Sequence, residues 1–250
     1  MSVDSLSTYQ KEMTSSYLNY QKQYAQTISE RDKVLINMIR EVSKEYFLKN
    51  KNKDISLLDI GCSTGNLLRH IAYQFPNFSL SGADLYDDII EYCQNDANLK
   101  KIKFFVQDIR RMQTNEKYDV IVANAVLFFM NDTELADALR CIAHSLKPGG
   151  FLLGLSWWHS FSQDLYIEEK TAEYPEGLPI YSRSMTTGNR FFYEAGFTET
   201  RYFPFEIPID LPLQQEKDVN THTVLTAEGT RLQFRGALYQ PWCHFAAKKR

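Results

Sequence analysis

The heptapeptide Asp59-Ile60-Gly61-Cys62-Ser63-Thr64-Gly65 lies between two patterned segments and decides the fold. Before it, residues 55–60 form a compact apolar run that is typical of a buried strand. After it, apolar residues recur at helical spacing from Leu67 to Phe75, and Pro76 ends the pattern. A glycine turn that opens a helix leaves backbone N–H groups free at the positive end of the helix dipole. The stretch predicts a ligand site at a strand–helix junction, although such a turn alone also occurs where nothing binds.

Strands and helices alternate on both sides of this turn. We predict further strands at 78–84, 102–107, 119–123 and 151–157, with helices at 86–97 and 135–146 between them. This alternation indicates parallel β-α-β units whose ligands bind at the carboxyl ends of the strands. Past residue 160 the pattern weakens, and there we predict a helix at 186–195, strands at 197–205 and 242–247, and a hairpin around 227–230.

The first 50 residues precede this alternation. Five large side chains at spacings of three or four lie along one face of a predicted helix: Tyr9, Met13, Tyr17, Tyr20 and Tyr24. Ser29 and Asp32 then form a capping signal before a second amphipathic helix. We predict an N-terminal helical extension or cap at 1–50 and one main domain at 51–250, with an insertion at about 206–240.

The composition excludes several classes of function. The net charge of −3 provides no general surface for a phosphate backbone, so a nucleic-acid partner is not expected. The four cysteines form no C-x-x-C pair, which argues against a zinc ribbon or a dithiol redox site, and no metal is expected. Neither a signal peptide nor an apolar run of 18 residues is present, so we expect a cytoplasmic protein with no membrane partner.

Three later strands each end in a polar residue. These residues are Asp84, Asp108 and Asn124, and Asp84 follows the glycine turn by about 20 residues, where a carboxylate can accept ribose hydroxyls. Each one alone is explained equally well as a helix N-cap. Three in succession on the ligand-binding edge favour a binding site.

The ordered motifs D-I-G-C-S-T-G-N, G-A-D-L, V-Q-D-I, Y-D-V-I-V-A-N-A-V and L-K-P-G-G, within residues 55–157, resemble those of class I S-adenosylmethionine-dependent methyltransferases. The resemblance implies a doubly wound, Rossmann-like α/β fold with a seven-stranded, mostly parallel sheet, an antiparallel C-terminal hairpin and S-adenosylmethionine as cofactor. One departure is Ser63, which stands at the middle position of the usual G-x-G-x-G.

By position, the resemblance also implies the cofactor residues. Asp59 and Gly61 would face the methionine moiety, and the same turn contributes Cys62, Ser63 and Gly65 to the cofactor site, where Gly65 also permits close packing of the helix on the strand. Asp84 would bind the ribose and Asp108 the adenine amine, with Leu85 and Ile109 on either side of the adenine ring and Asn124 near the sulfonium. Tyr20 and Tyr24 would form part of a lid, although a core-facing stripe explains them equally well. The rival cofactor NAD requires a third glycine where this chain has Leu68.

The expected function is methyl transfer to a small-molecule acceptor, such as an oxygen of a sugar or secondary metabolite. A hydroxyl acceptor requires removal of its proton, and His159, just after the fifth predicted strand, is the candidate base. The alternatives are a methyltransferase for RNA or protein and a non-catalytic protein that binds S-adenosylmethionine. Asn124-Ala125-Val126-Leu127 stands where enzymes that methylate nucleic-acid amines carry N-P-P-Y. The oligomeric state stays open.

Overall fold

The computed structural model describes residues 26–49, 54–112, 117–172, 174–213 and 219–250. Its helices are α1 (Glu30–Lys49), α2 (Asn66–Gln74), α3 (Asp87–Asn95), α4 (Asp132–Ser145) and α5 (Met185–Ala195). The first strands are β1 (Ser56–Ile60), β2 (Ser79–Asp84), β3 (Lys103–Val106), β4 (Tyr118–Asn124), β5 (Leu146–His159) and β6 (Leu165–Glu169). The remaining strands are β7 (Leu178–Ser184), β8 (Phe197–Pro204), β9 (Thr221–Leu225), β10 (Arg231–Arg235), β11 (Leu238–Tyr239) and β12 (Trp242–Lys249). Short 3-10 turns follow β3 and β4, at Ile109–Arg111 and Leu127–Phe129.

The central sheet has the strand order β3-β2-β1-β4-β5-β12-β8. The first five strands on this path pair in parallel, whereas β12 runs antiparallel to both of its neighbours. This arrangement confirms the predicted mostly parallel, Rossmann-like α/β sheet with an antiparallel C-terminal pair. Because β1, β2 and β4 are parallel and adjacent, their carboxyl ends meet at one edge.

Helices cover both faces of the sheet. On one face, Leu35 of α1 and Leu68 of α2 pack with Leu57 of β1. The other face joins the next residue of β1, Leu58, to α4 and α5. Successive side chains of a strand point to opposite faces, so a strand buried on both faces must be apolar almost throughout.

The prediction was wrong about the length of β5 and missed a hairpin. β5 begins directly after α4 and continues to His159 because β7 pairs in parallel with its end, where Trp158 lies opposite Arg183. β6 and β7 form an antiparallel hairpin that joins the sheet through this pairing, so the described sheet has the seven strands of the path above and two more. The weak pattern after residue 160 gave no signal for these strands, because β6 is mostly exposed.

The region around 206–240 carries a separate small sheet, β11-β10-β9, which confirms the hairpin predicted at 227–230. Gly229 supplies the positive φ of 85° in its turn.

At the start of α1, the backbone N–H of Asp32 donates to Ser29 Oγ at 3.1 Å, as the capping signal predicted. Tyr20, Tyr24 and the rest of the predicted tyrosine face lie outside the described residues. Among the helices that the structure does describe, none is long and apolar enough to cross a membrane.

Candidate functional site

A cavity of about 340 Å³ opens at the carboxyl ends of β1, β2 and β4. Predicted cofactor residues from four separate chain segments line it: Asp59, Gly61, Cys62, Ser63, Asp84, Leu85, Asp108, Ile109 and Asn124. The tertiary structure therefore brings these residues to one place. Gly65 does not line the cavity. A Cβ at this position would lie 2.8 Å from Leu99 Cδ1, so Gly65 permits close packing behind the turn.

The glycine turn presents its backbone to the cavity. The N–H groups of Gly61 and Cys62 both donate to the carbonyl oxygen of Ala83, at 2.8 and 3.0 Å. Gly61 has a φ of 72°, and a Cβ there would stand 2.5 Å from Val126 Cγ2. Ser63 holds a φ of 47°, an uncommon conformation for a residue other than glycine. These hydrogen bonds attach the turn to β2. Only glycine at position 61 avoids a clash with Val126.

Asp84 ties the glycine turn to the end of β2. Its Oδ2 accepts the backbone N–H of Ser63 at 2.9 Å, and its Oδ1 accepts that of Leu85 at 2.8 Å. Burial raises the pKa of Asp84 in spite of these hydrogen bonds. The carboxylate therefore has a structural task in addition to any contact with a ligand.

Asp59 is the most isolated acid of the cavity. It is only 2% exposed, and its Oδ1 is buried with no hydrogen-bond partner in the part of the chain that the structure describes. Burial raises the pKa of Asp59 well above its usual range, and the negative charges of Asp32 and Asp84 raise it further. Such a group is stabilised by a cation or a donor placed beside it.

Asp108 is held by its neighbour Arg110. The side chain of Arg110 donates to both carboxylate oxygens of Asp108, at 2.9–3.2 Å, and also reaches Glu134 at 2.7 Å. Burial alone raises the pKa of Asp108, but the hydrogen bonds from Arg110 outweigh it and lower the pKa. Asp108 also caps the 3-10 turn through the Arg110 N–H, which fits the N-cap alternative for this residue.

The start of α1 forms a wall of the cavity, at residues that were not among the predicted site residues. Ser29, Arg31 and Asp32 all line it. Asn124 Nδ2 donates to Asp32 Oδ1 at 3.0 Å, and His244 Nε2 lies 3.0 Å from the carbonyl oxygen of Arg31. The capping signal located the start of this helix, but only the packing of α1 on the sheet shows that it closes the site.

His159 is not among the residues that line this cavity. It is the last residue of β5 rather than part of a loop, and it is 8% exposed. Neither ring nitrogen has a hydrogen-bond partner among the described residues. Its assignment as a general base stays a prediction.

A sheet of this order, with a glycine turn and strand-end acids around one cavity, defines a Rossmann-like domain that binds a nucleoside-containing cofactor. Residues 57–150 match the family described as Methyltransferase domain. This match bears out the resemblance to S-adenosylmethionine-dependent methyltransferases that the motifs predicted, and it supports S-adenosylmethionine as the cofactor.

Two further comparisons extend this assignment. The chain is 26% identical over 169 residues to a malonyl-[acyl-carrier protein] O-methyltransferase from Bacillus anthracis; the match covers 68% of this chain and 60% of that protein. A solved amino pentose methyltransferase from Micromonospora echinaspora, with bound S-adenosylmethionine, superposes with a TM-score of 0.56 at 15% identity. That superposition covers 92% of this chain and 96% of the other, and it shows the likeness of the fold.

Proposed function

We propose that the cavity binds S-adenosylmethionine and that the chain transfers its methyl group to a small-molecule acceptor, with oxygen as the receiving atom. The observation that carries this proposal is the buried Oδ1 of Asp59, which has no hydrogen-bond partner among the described residues, in a cavity that Asp32, Asp84 and Asp108 also line. Four carboxylates around one space favour a cationic ligand. S-adenosylmethionine fits, since it carries a sulfonium and an ammonium group.

The described residues provide a place for each part of this cofactor. In this proposal the glycine turn and Asp59 bind the methionine moiety, and Asp84, at the end of the neighbouring strand, binds the ribose; all of them line the cavity except Gly65. Leu85 and Ile109 supply apolar surface for the adenine ring. Arg110 holds the carboxylate of Asp108 in position, and in this proposal that carboxylate accepts a hydrogen bond from the adenine amine.

When bound, the cofactor supplies a methyl group that is already activated for displacement, so the chain must chiefly align the acceptor. The start of α1, held to β4 by the hydrogen bond between Asp32 and Asn124, narrows the cavity on one side. Phe128 and Phe129 line another part. A space of this size with aromatic walls suits a small organic molecule better than a nucleic-acid duplex.

The division into a cap at 1–50 and a main domain at 51–250 is part of this proposal, since α1 forms one wall of the cavity. His159 stays the candidate base for a hydroxyl acceptor and would have to reach the acceptor from outside the cavity lining.

A second candidate function, suggested by the name of the Bacillus anthracis relative, is methyl transfer to an acceptor carried on a small protein. The chain spans about 60% of the length of that relative.

The test is binding of the cofactor followed by turnover. At 100 times the dissociation constant, S-adenosylhomocysteine should raise the free energy of unfolding by about 2.7 kcal/mol, measured by thermal or urea unfolding. S-adenosylmethionine should then be converted to S-adenosylhomocysteine when small-metabolite fractions are added. Stabilisation by NAD without stabilisation by either sulfur ligand would contradict the proposal. Binding without turnover for any acceptor would favour the non-catalytic alternative.

A further inference from the structure

Arg31 is a cation at the cavity, and no anionic group in the described part of the chain pairs with it. It lines the cavity, and its guanidinium lies 4.8 Å above the ring of Trp242. Within the described residues its side chain forms neither an ion pair nor a hydrogen bond. The aromatic ring supports the guanidinium from one side, which leaves its N–H donors available to a planar anion.

The position of Arg31 is set by the backbone. Because the neighbouring atom of His244 is a carbonyl oxygen, His244 Nε2 carries the hydrogen and donates to Arg31 O at 3.0 Å. Across the sheet, Leu155 of β5 lies opposite both Asn124 of β4 and His244 of β12. Arg31 is therefore tied to β12 through His244, while the next residue, Asp32, is tied to Asn124 at the end of β4. These hydrogen bonds hold the backbone at Arg31, and the ring of Trp242 lies against its guanidinium.

The cavity is consequently polarised. Its acids Asp59, Asp84 and Asp108 lie at or just after the ends of β1, β2 and β3, whereas Arg31 is tied to β12. The fourth acid, Asp32, lies next to Arg31 in the chain and accepts a hydrogen bond from Asn124. Phe128 lines the cavity and stands edge-on to Trp242, with ring centroids 5.3 Å apart. The acidic end suits a cationic cofactor, and the end with Arg31 suits an anionic, partly apolar acceptor.

The residues around the cavity also bear on the chemistry of the acceptor. Among the described residues that line it there is no histidine and no lysine. A hydroxyl acceptor must lose a proton and benefits from such a base. A carboxylic acid is already ionised at neutral pH, so its oxygen attacks without a base.

We propose that the acceptor is a small organic carboxylate bound by Arg31, and that the product is its methyl ester; this rests on the proposed function. One carboxylate oxygen accepts from the guanidinium, and a lone pair of the other oxygen forms the new bond to the methyl carbon. The carbon–sulfur bond breaks and its electron pair stays on sulfur. The sulfonium becomes a neutral thioether and the carboxylate a neutral ester, and no proton is taken up or released.

The experiment measures binding of carboxylate probes to protein saturated with S-adenosylhomocysteine. The probes are hexanoate, 3-phenylpropanoate and malonyl-pantetheine, each paired with its primary amide, and the readout is calorimetry or ligand-observed NMR. At least one carboxylate should bind, its amide should bind at least 10-fold more weakly, and Arg31→Gln should weaken the carboxylate at least 10-fold. Arg31→Lys should retain part of the affinity, because it keeps the charge but loses the planar donors.

Arg40→Gln is the matched control, since Arg40 lies on the same helix and bonds Gln74 instead of lining the cavity. It should leave both affinities unchanged. Mass spectrometry of turnover mixtures should show the methyl ester of the bound probe. If no carboxylate binds, or if amides bind as well as carboxylates, the proposal is wrong while the cofactor result stands. If Arg31→Gln weakens S-adenosylhomocysteine as much as the probe, Arg31 belongs to the cofactor site and the proposal is also wrong. Failure to bind the cofactor at all would refute the proposed function itself.

Discussion

Acidification should destabilise this protein through His244, which anchors the start of α1. The imidazole is 1% exposed, packs edge-on against Phe205 and donates from Nε2 to the carbonyl oxygen of Arg31. Its Nδ1 is buried without a partner in the part of the chain that the structure describes. Protonation would therefore place a charged, unpaired N–H in an apolar setting beside the positive charge of Arg31.

The size of the effect follows from the pKa of His244. Burial lowers this pKa from 6.5 to about 4, against a smaller opposing effect of the hydrogen bond to Arg31. Between these two pH values the unfolded chain binds a proton that the folded chain does not, so the free energy of unfolding falls as pH falls through this window. From pH 7 to pH 5 the loss is about 2 kcal/mol, and it approaches about 3 kcal/mol near pH 4.

The assay compares urea unfolding of the parent with that of His244→Gln at pH 5, 6 and 7. The glutamine amide can donate to Arg31 O but does not titrate, so the stability of the variant relative to the parent should rise by about 2 kcal/mol on going from pH 7 to pH 5. Asp59 and Asp84 have raised pKa values and act in the opposite direction, but they cancel in this difference. His144→Gln, at the exposed end of α4, is the control for loss of a histidine. If the difference in free energy of unfolding between variant and parent changes by less than about 0.5 kcal/mol across the three pH values, the reasoning is refuted.

Two further predictions concern the cofactor end of the cavity. Asp59→Asn should weaken the binding of S-adenosylmethionine at least 10-fold in calorimetry. It should not lower the stability of the free protein, because it removes a buried, poorly satisfied charge. Unchanged affinity would show that Asp59 does not face the cofactor. Gly61→Ala should lower the free energy of unfolding by at least about 1 kcal/mol, since φ is 72° and the new Cβ meets Val126 Cγ2 at 2.5 Å. The double variant with Val126→Ala should recover only the steric part of that loss, and full recovery would contradict the role given to φ.

The sequence alone was sufficient for the first half of the fold because the signals there are local. The run 119–123, which is apolar after Asp119, predicts a strand buried on both faces, and it is one, within β4. Pro76 and the glycine turn bound their elements through backbone constraints that act within a few residues. The same locality explains why Asp84, Asp108 and Asn124 all line the cavity, because the carboxyl ends of adjacent parallel strands meet at one edge of the sheet.

Tertiary structure alone decided which groups meet across the cavity. The pairing of Asp32 with Asn124 spans 92 positions, and His244 reaches Arg31 across 213. No local periodicity encodes such contacts, since they depend on how α1 packs on the sheet and on the antiparallel entry of β12 between β5 and β8. For the same reason the sequence put His159 in an open loop, whereas pairing with β7 extends β5 to that residue. Chain neighbours determine the elements of this protein, and packing between distant segments determines the environment of each charge.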